Sequence, residues 1–115
     1  MSDFLPEDPD RDLLLAVRNG DGDAFEALVR RYQSRVVGFI RTLTGRAEDA
    51  EDLAQEVFVR VYRSIARFRG DSLFRTWLYR VAVNVAHTHG ARRVREAAVW
   101  PDPGGDEHGV LDVSD

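Results

Sequence analysis

The sequence predicts an all-α fold: a compact bundle of about four helices followed by a flexible acidic C-terminal linker. Three observations carry this reading. Apolar residues recur three and four positions apart over long stretches, which places them on one face of a helix. No segment carries a strand signal, and there is no solenoid repeat and no heptad sustained for three turns. At 115 residues, with 43% hydrophobic and 31% charged residues, the chain has the size and make-up of one ordinary soluble domain.

Taken in order, Leu13, Leu14 and Val17 sit at helical spacing after Asp10 or Asp12 as N-cap. With Asn19-Gly20 as a left-handed stop, they predict a short helix over about 10–19. Asp23 is expected to cap a second helix whose apolar positions Phe25, Leu28, Val29, Tyr32, Val36, Phe39, Ile40 and Leu43 lead to Gly45. A third, over about 47–67, opens with Glu48, Asp49, Glu51 and Asp52, acids that suit the positive end of a helix dipole. It continues through Leu53, Val57, Phe58, Val61, Tyr62 and Ile65. After the turn Phe68-Arg69-Gly70-Asp71-Ser72, a fourth helix places Phe74, Trp77, Leu78, Val81, Ala82 and Val85 on one face and is expected to fray near Gly90. Residues 1–9 read as an acidic tail, 10–95 as the folded domain, and 96–115, rich in Pro, Gly and Asp, as a linker.

Several function classes are excluded or left without support. The absence of cysteine rules out disulfides, thiolate nucleophiles and Cys-containing zinc sites. No apolar run approaches the roughly 18 residues of a bilayer span, and Met1 to Pro9 is acidic where a signal peptide would be basic, so membrane insertion and secretion are not expected. A cytoplasmic protein is the expectation. No phosphate-binding glycine loop, His-Glu-x-x-His or Gly-x-Ser-x-Gly occurs, so neither an enzyme nor a cofactor is expected. His87 and His89, two apart on a helix, diverge and cannot share a metal, and they read as exposed residues near a fraying end.

The net charge of −4 conceals an asymmetry. Residues 1–12 contribute −4 and 96–115 contribute −6, leaving +6 between them. Residues 60–95 hold nine arginines against the single acid Asp71. All sixteen basic residues are arginine, a bias that base composition explains as well as phosphate recognition does.

Two features of this middle segment ask for partners. On the third helix, Glu48, Asp52 and Glu56 lie four apart and stack like charges on one face, an arrangement that costs stability, although Glu56 is also placed to pair with Arg60. A solvated acidic face and a docking ridge for a basic partner both fit. On the fourth helix, Thr76, Arg80, Asn84 and His87 form a polar stripe beside Trp77 and Tyr79, flanked by Arg67, Arg69, Arg75 and Arg92-Arg93-Val94-Arg95. Arginine and asparagine suit base edges and phosphates, and Phe68 reads as an exposed aromatic able to meet an unstacked base, so single-stranded nucleic acid is favoured over a merely solvated face. Trp77 itself reads as core.

Three strings then stand in order: Gly20-Asp-Gly-Asp-Ala-Phe-Glu-Ala-Leu-Val-Arg-Arg-Tyr32, Asp49-Ala-Glu-Asp-Leu-Ala-Gln-Glu-Val-Phe58, and Phe68-Arg-Gly-Asp-Ser-Leu-Phe-Arg-Thr-Trp-Leu-Tyr-Arg-Val-Ala-Val-Asn84. Together they resemble region 2 of the extracytoplasmic-function (ECF) bacterial sigma factors over roughly residues 10–95. The resemblance implies a transcription initiation domain that docks on the clamp helices of the RNA polymerase β′ subunit. It further implies recognition of the minus-ten promoter element by capture of the melted non-template strand, and an anti-sigma factor as a further partner. By motif, Asp49, Asp52, Gln55 and Glu56 correspond to the polymerase-facing positions. Phe68, Arg69, Gly70, Asp71 and Ser72 correspond to the loop that holds a flipped base, and Arg75, Thr76, Arg80 and Asn84 to the promoter-reading helix. The competing reading is a sigma-like helical protein-interaction module without promoter-opening activity.

Two departures stand out. After Asn84 the family often continues with an apolar turn and a denser basic run, whereas here His87-Thr-His-Gly90 intervenes. Family members also carry a second helix-turn-helix domain, region 4, and nothing after Glu96 is able to form it. A piece of a longer chain ending in the linker is expected, ahead of a one-domain variant.

Overall fold

The computed structural model describes residues 4–97, of 91–97 the backbone alone. Helix α1 spans Arg11–Arg18, α2 Gly22–Thr44, α3 Ala47–Ser64 and α4 Phe74–Ala97, with one 3₁₀ turn at Ile65–Arg67 after α3. Helix α2 lies against all three others, and α3 packs on α4.

Local chemistry sets the boundaries. Gly20 adopts φ 92°, a left-handed value that glycine accepts without strain, and so turns the chain out of α1. The cap of α2 is Asp21 rather than the expected Asp23: its Oδ1 accepts from the backbone N–H groups of Asp23 at 3.0 Å and Ala24 at 3.3 Å. Asp21 has the extended backbone of an N-cap (φ −83°, ψ 102°), and from there one carboxylate reaches two of the amides that the first turn leaves without partners. Gly45 closes α2 at φ 70°, its N–H donating to the Arg41 carbonyl at 2.8 Å.

In α2 the buried residues are Ala24, Leu28, Tyr32, Val36 and Ile40, one every fourth position. From Leu28 onward this row meets Ala50, Ala54, Val57, Phe58 and Val61 of α3 and Phe74, Leu78, Ala82 and Val85 of α4 in one core. Sealing a leucine, isoleucine or phenylalanine in this way is worth about 1.5–3 kcal/mol, and the alanines let the helix backbones approach closely. Leu43, expected on the apolar face, is 46% exposed. A row stepping by four winds forward about 40° per step, whereas Leu43, three residues beyond Ile40, falls about 60° back from it.

Three other expectations are corrected. Residues 4–10 are no loose tail. Phe4, Asp8 and Asp10 are buried, and the two carboxylates are the buried charged groups among the described residues. Asp8 Oδ2 accepts the Phe74 N–H at 2.7 Å and its Oδ1 accepts the Asp10 N–H at 2.9 Å. Asp10 in turn accepts the Tyr32 hydroxyl at 2.5 Å and pairs with the Arg31 guanidinium. The start of α4 is thus capped by a side chain 66 positions upstream. Secondly, α4 does not fray at Gly90 but continues to Ala97. A single interior glycine costs only about 1 kcal/mol relative to alanine, which the packing of the preceding turns outweighs. Thirdly, His89 is largely enclosed rather than exposed, with Nε2 3.3 Å from Asp49 Oδ2. The expected linker beyond Ala97 lies outside the described residues.

Candidate functional site

The outward face of α3 carries the acidic ridge. The Arg46 guanidinium, just before α3, bonds Glu48 and Asp49 at 3.0 Å each. Asp49 is further engaged by His89, so its carboxylate ties the start of α3 to α4. The Arg46 N–H, against the opposing effect of desolvation and with help from His89, holds the Asp49 carboxyl below the usual aspartate range. Asp52, Gln55 and Glu56 are exposed. Glu56 accepts from Arg60 Nε at 3.3 Å, the pairing anticipated from their spacing. Beside this ridge an open groove runs between α2 and α3, lined by Val37, Ala54 and Phe58 and by Arg41 of α2 and Asp52 and Gln55 of α3. Of the four residues the sequence put on the polymerase side, three therefore share an open surface, while Asp49 is largely spent on internal contacts.

A second concavity, of about 310 Å³, opens where the end of α3 and the 3₁₀ turn meet α4. Arg60, Ser64 and Arg67 line one side, Trp77, Val81 and Asn84 the other, and Phe68 the end. Each trio is spaced four and three apart, so each is one helical face. Asn84 offers both a donor and an acceptor here, and two guanidinium groups supply positive charge beside an indole. Sequence reasoning identified Asn84 and missed Arg60 and Ser64, although the shared spacing of 60, 64, 67 with 77, 81, 84 was the available signal.

Phe68 is not the exposed aromatic expected; it is 6% exposed. Its ring stacks with Phe4, 5.7 Å away at 20°, and with Trp77, 4.9 Å away at 25°. The Arg18 guanidinium lies over the Phe4 ring, 4.3 Å from its centre. Buried among these rings, Phe68 serves as a wall and not as a stacking platform. Trp77, read as core, is only half-buried and lines the pocket. Around it, Gly70 is buried at φ 80° and allows the loop its sharp turn, Ser72 donates to the Leu73 carbonyl at 3.2 Å, and Arg69 and Asp71 are exposed. On α4, Arg75, Thr76 and Arg80 face solvent outside the pocket, while Asn84 and His87 are half-buried. The side chains of Arg92, Arg93 and Arg95 lie outside the described residues. Among the described residues, no helix is long and apolar enough to cross a membrane.

A family model for Sigma-70 region 2 matches residues 28–96, more than half of the chain. The protein belongs to the Sigma-70 region 2 family. This region 2 chain is 44% identical over 92 residues to the RNA polymerase sigma-H factor of Pseudomonas aeruginosa, an alignment covering 80% of the chain and 48% of that relative. It is 48% identical over 80 residues to the ECF RNA polymerase sigma-E factor of Haemophilus influenzae, covering 70% and 42%. Among solved structures it is similar to an engineered region 2 of sigmaE determined by NMR in complex with GTAAAA, with a TM-score of 0.72 and 34% identity over 81% of this chain and 97% of that one. The chain spans a little under half the length of the curated relatives it matches. Both the all-α fold and the resemblance read from the three motifs agree with these findings.

Proposed function

We propose that this region 2 domain acts in transcription initiation, docking on core RNA polymerase through the exposed face of α3 and capturing an unpaired base of the minus-ten non-template strand in the pocket between α3 and α4. The observation that carries the reading is the pocket. Asn84, the Trp77 indole, Arg60 and Arg67 all line it, so a hydrogen-bonding edge, an aromatic surface and phosphate-neutralising charge converge on one concavity. The related region 2 of sigmaE in complex with GTAAAA supports the same reading and weighs against an interaction module that has lost nucleic-acid binding. Extracting a base from a duplex costs a few kcal/mol, so a captured base is favoured once the strands have separated.

In this reading Asp52, Gln55 and Glu56 face the clamp helices of the β′ subunit, with Asp49 holding the ridge in place from behind. Arg69, Arg75, Thr76 and Arg80 lie along the path of the strand, and Asp71 and Ser72 shape the loop at the pocket end. The domain contributes binding energy and no bond-making step, and it works in the cytoplasm, where an anti-sigma factor competes for the same faces. The unit extends from Phe4 rather than from residue 10, and 96–115 leads toward a region 4 domain.

The test is affinity for a single strand containing GTAAAA against its duplex at one salt concentration. Preference for the single strand, lost in Asn84→Ala, is the expected outcome. Equal or tighter duplex binding would remove base capture from the account.

A further inference from the structure

The N-terminal segment makes two contacts that meet at the pocket. Asp8 fixes the first amide of α4, at Phe74, and thereby sets the height and rotation at which that helix begins, one turn before Trp77. Phe4 and Trp77 both stack with the Phe68 ring, so its tilt is set by the two together. Both residues are themselves anchored on other helices. The Asp8 carboxylate bridges to the Asp10 N–H, Asp10 binds Tyr32 and Arg31 of α2, and the Arg18 guanidinium of α1 lies over Phe4. The intervening loop is held at its ends: Phe68 N–H donates to the Ile65 carbonyl, and the Leu73 carbonyl accepts from Thr76 and Trp77.

We propose that Phe4 and Asp8 form a strap of positioning residues that sets the shape of the base pocket, so that discrimination among bases depends on side chains that touch no nucleic acid. The inference rests on the nucleic-acid reading of that pocket and adds a control to it. A wall rotated by a few degrees, or a helix start shifted by a fraction of a turn, displaces Asn84 and Trp77 relative to each other. The arginines that neutralise phosphate have long side chains and follow the strand regardless. Loss of the strap therefore erodes selectivity more than general affinity.

The experiment uses the 115-residue chain with two single-stranded DNA probes, one containing GTAAAA and one with those six bases rearranged as AAGATA. Asp8→Ala and Phe4→Ala are expected to cut the preference for GTAAAA about tenfold, the weight of one charged hydrogen bond or one aromatic contact respectively, while binding to the rearranged strand stays near wild type. Asp8→Asn keeps one acceptor oxygen for the two amides that Asp8 serves, at Phe74 and Asp10, and should restore part of the preference. Amide exchange at Phe74 should quicken in Asp8→Ala and not in the exposed control Glu7→Ala. Wild-type protein that does not distinguish the two strands overturns the base-capture reading and the strap with it. Wild-type discrimination that persists in folded Asp8→Ala and Phe4→Ala overturns the strap alone. Should either alanine variant fail to fold, Asp8→Ser and Phe4→Leu decide: a loss of preference with binding to the rearranged strand kept supports the strap, and unchanged preference or equal weakening on both strands ends the proposal.

Discussion

His89 and Asp49, forty positions apart, meet at 3.3 Å and join the penultimate turns of the described part of α4 to the first turn of α3. An acid on the ridge that sequence alone would offer to a partner is thereby turned to internal use. The ridge begins, in effect, at Asp52.

A pH dependence follows. The Asp49 carboxyl is held below its ordinary range, chiefly by the Arg46 N–H. A depressed folded-state pKa contributes stability above the unfolded value, near 4, that is lost as pH falls through the lower folded value. The stability gap between wild type and Asp49→Asn should therefore shrink as pH falls below about 4. Urea denaturation at a series of pH values measures this; a gap that persists undiminished well below that pH contradicts it.

Reversing the exposed ridge tests the docking face. Asp52→Arg combined with Glu56→Arg should leave the helical circular-dichroism spectrum intact, since both side chains are exposed and surface charge pairs contribute little to stability, and should abolish binding to core polymerase. Two positions are needed because one exposed pair is worth only about 0–1 kcal/mol. Unchanged affinity in a folded double variant removes the ridge from the interface.

The reading helix should divide into two kinds of residue. Asn84 lines the pocket, whereas Arg80 is exposed outside it. Asn84→Ala should cost about 1–3 kcal/mol on the preferred strand and flatten the ranking of single-base variants. Arg80→Ala should weaken all variants alike and lower the salt slope by about one. Affinities for a panel of variants at several salt concentrations separate the two behaviours.

The Asp10 cluster should dominate stability at the N-terminal end. Burial and the Asp10 carboxylate push the Tyr32 hydroxyl well above its usual range, so it remains a donor at all working pH values. Removing the acceptor leaves a buried hydroxyl without its partner, and Asp10→Ala should cost about 1–3 kcal/mol. Combined with Tyr32→Phe the losses should be less than additive, because both changes delete one bond. Additive losses in urea titrations would show that the two groups do not act together.

Much of this architecture is legible in the sequence because it is written in local spacing. The helices follow from apolar residues three and four apart, and the turns from Gly20 and Gly45. What escaped was tertiary. An aspartate followed by a proline looks like solvated chain, and nothing near Asp8 announces an amide 66 positions away that it will cap. Phe68 in a turn reads as exposed because the ring that covers it, Phe4, belongs to a segment judged to be loose. The candidate site was half visible. Asn84 and the flanking Arg67 emerged from the polar stripe, but Arg60 was read as the partner of Glu56 and Ser64 was not singled out, and the common face of 60, 64 and 67 appears only when laid against 77, 81 and 84.

The every-fourth-residue row of α2, at 24, 28, 32, 36 and 40, has a bearing on how such chains vary in length. Winding about 40° per step, the row turns through roughly 160° along the helix, so its start and its end address different neighbours. Gaining or losing one residue midway would rotate everything downstream by about 100°, leaving two halves that are each still amphipathic yet aimed past their partners. Insertions and deletions should accordingly be shut out between Ala24 and Ile40 and collect instead at the turns around Gly20 and Gly45, which makes α2 a molecular ruler for the domain.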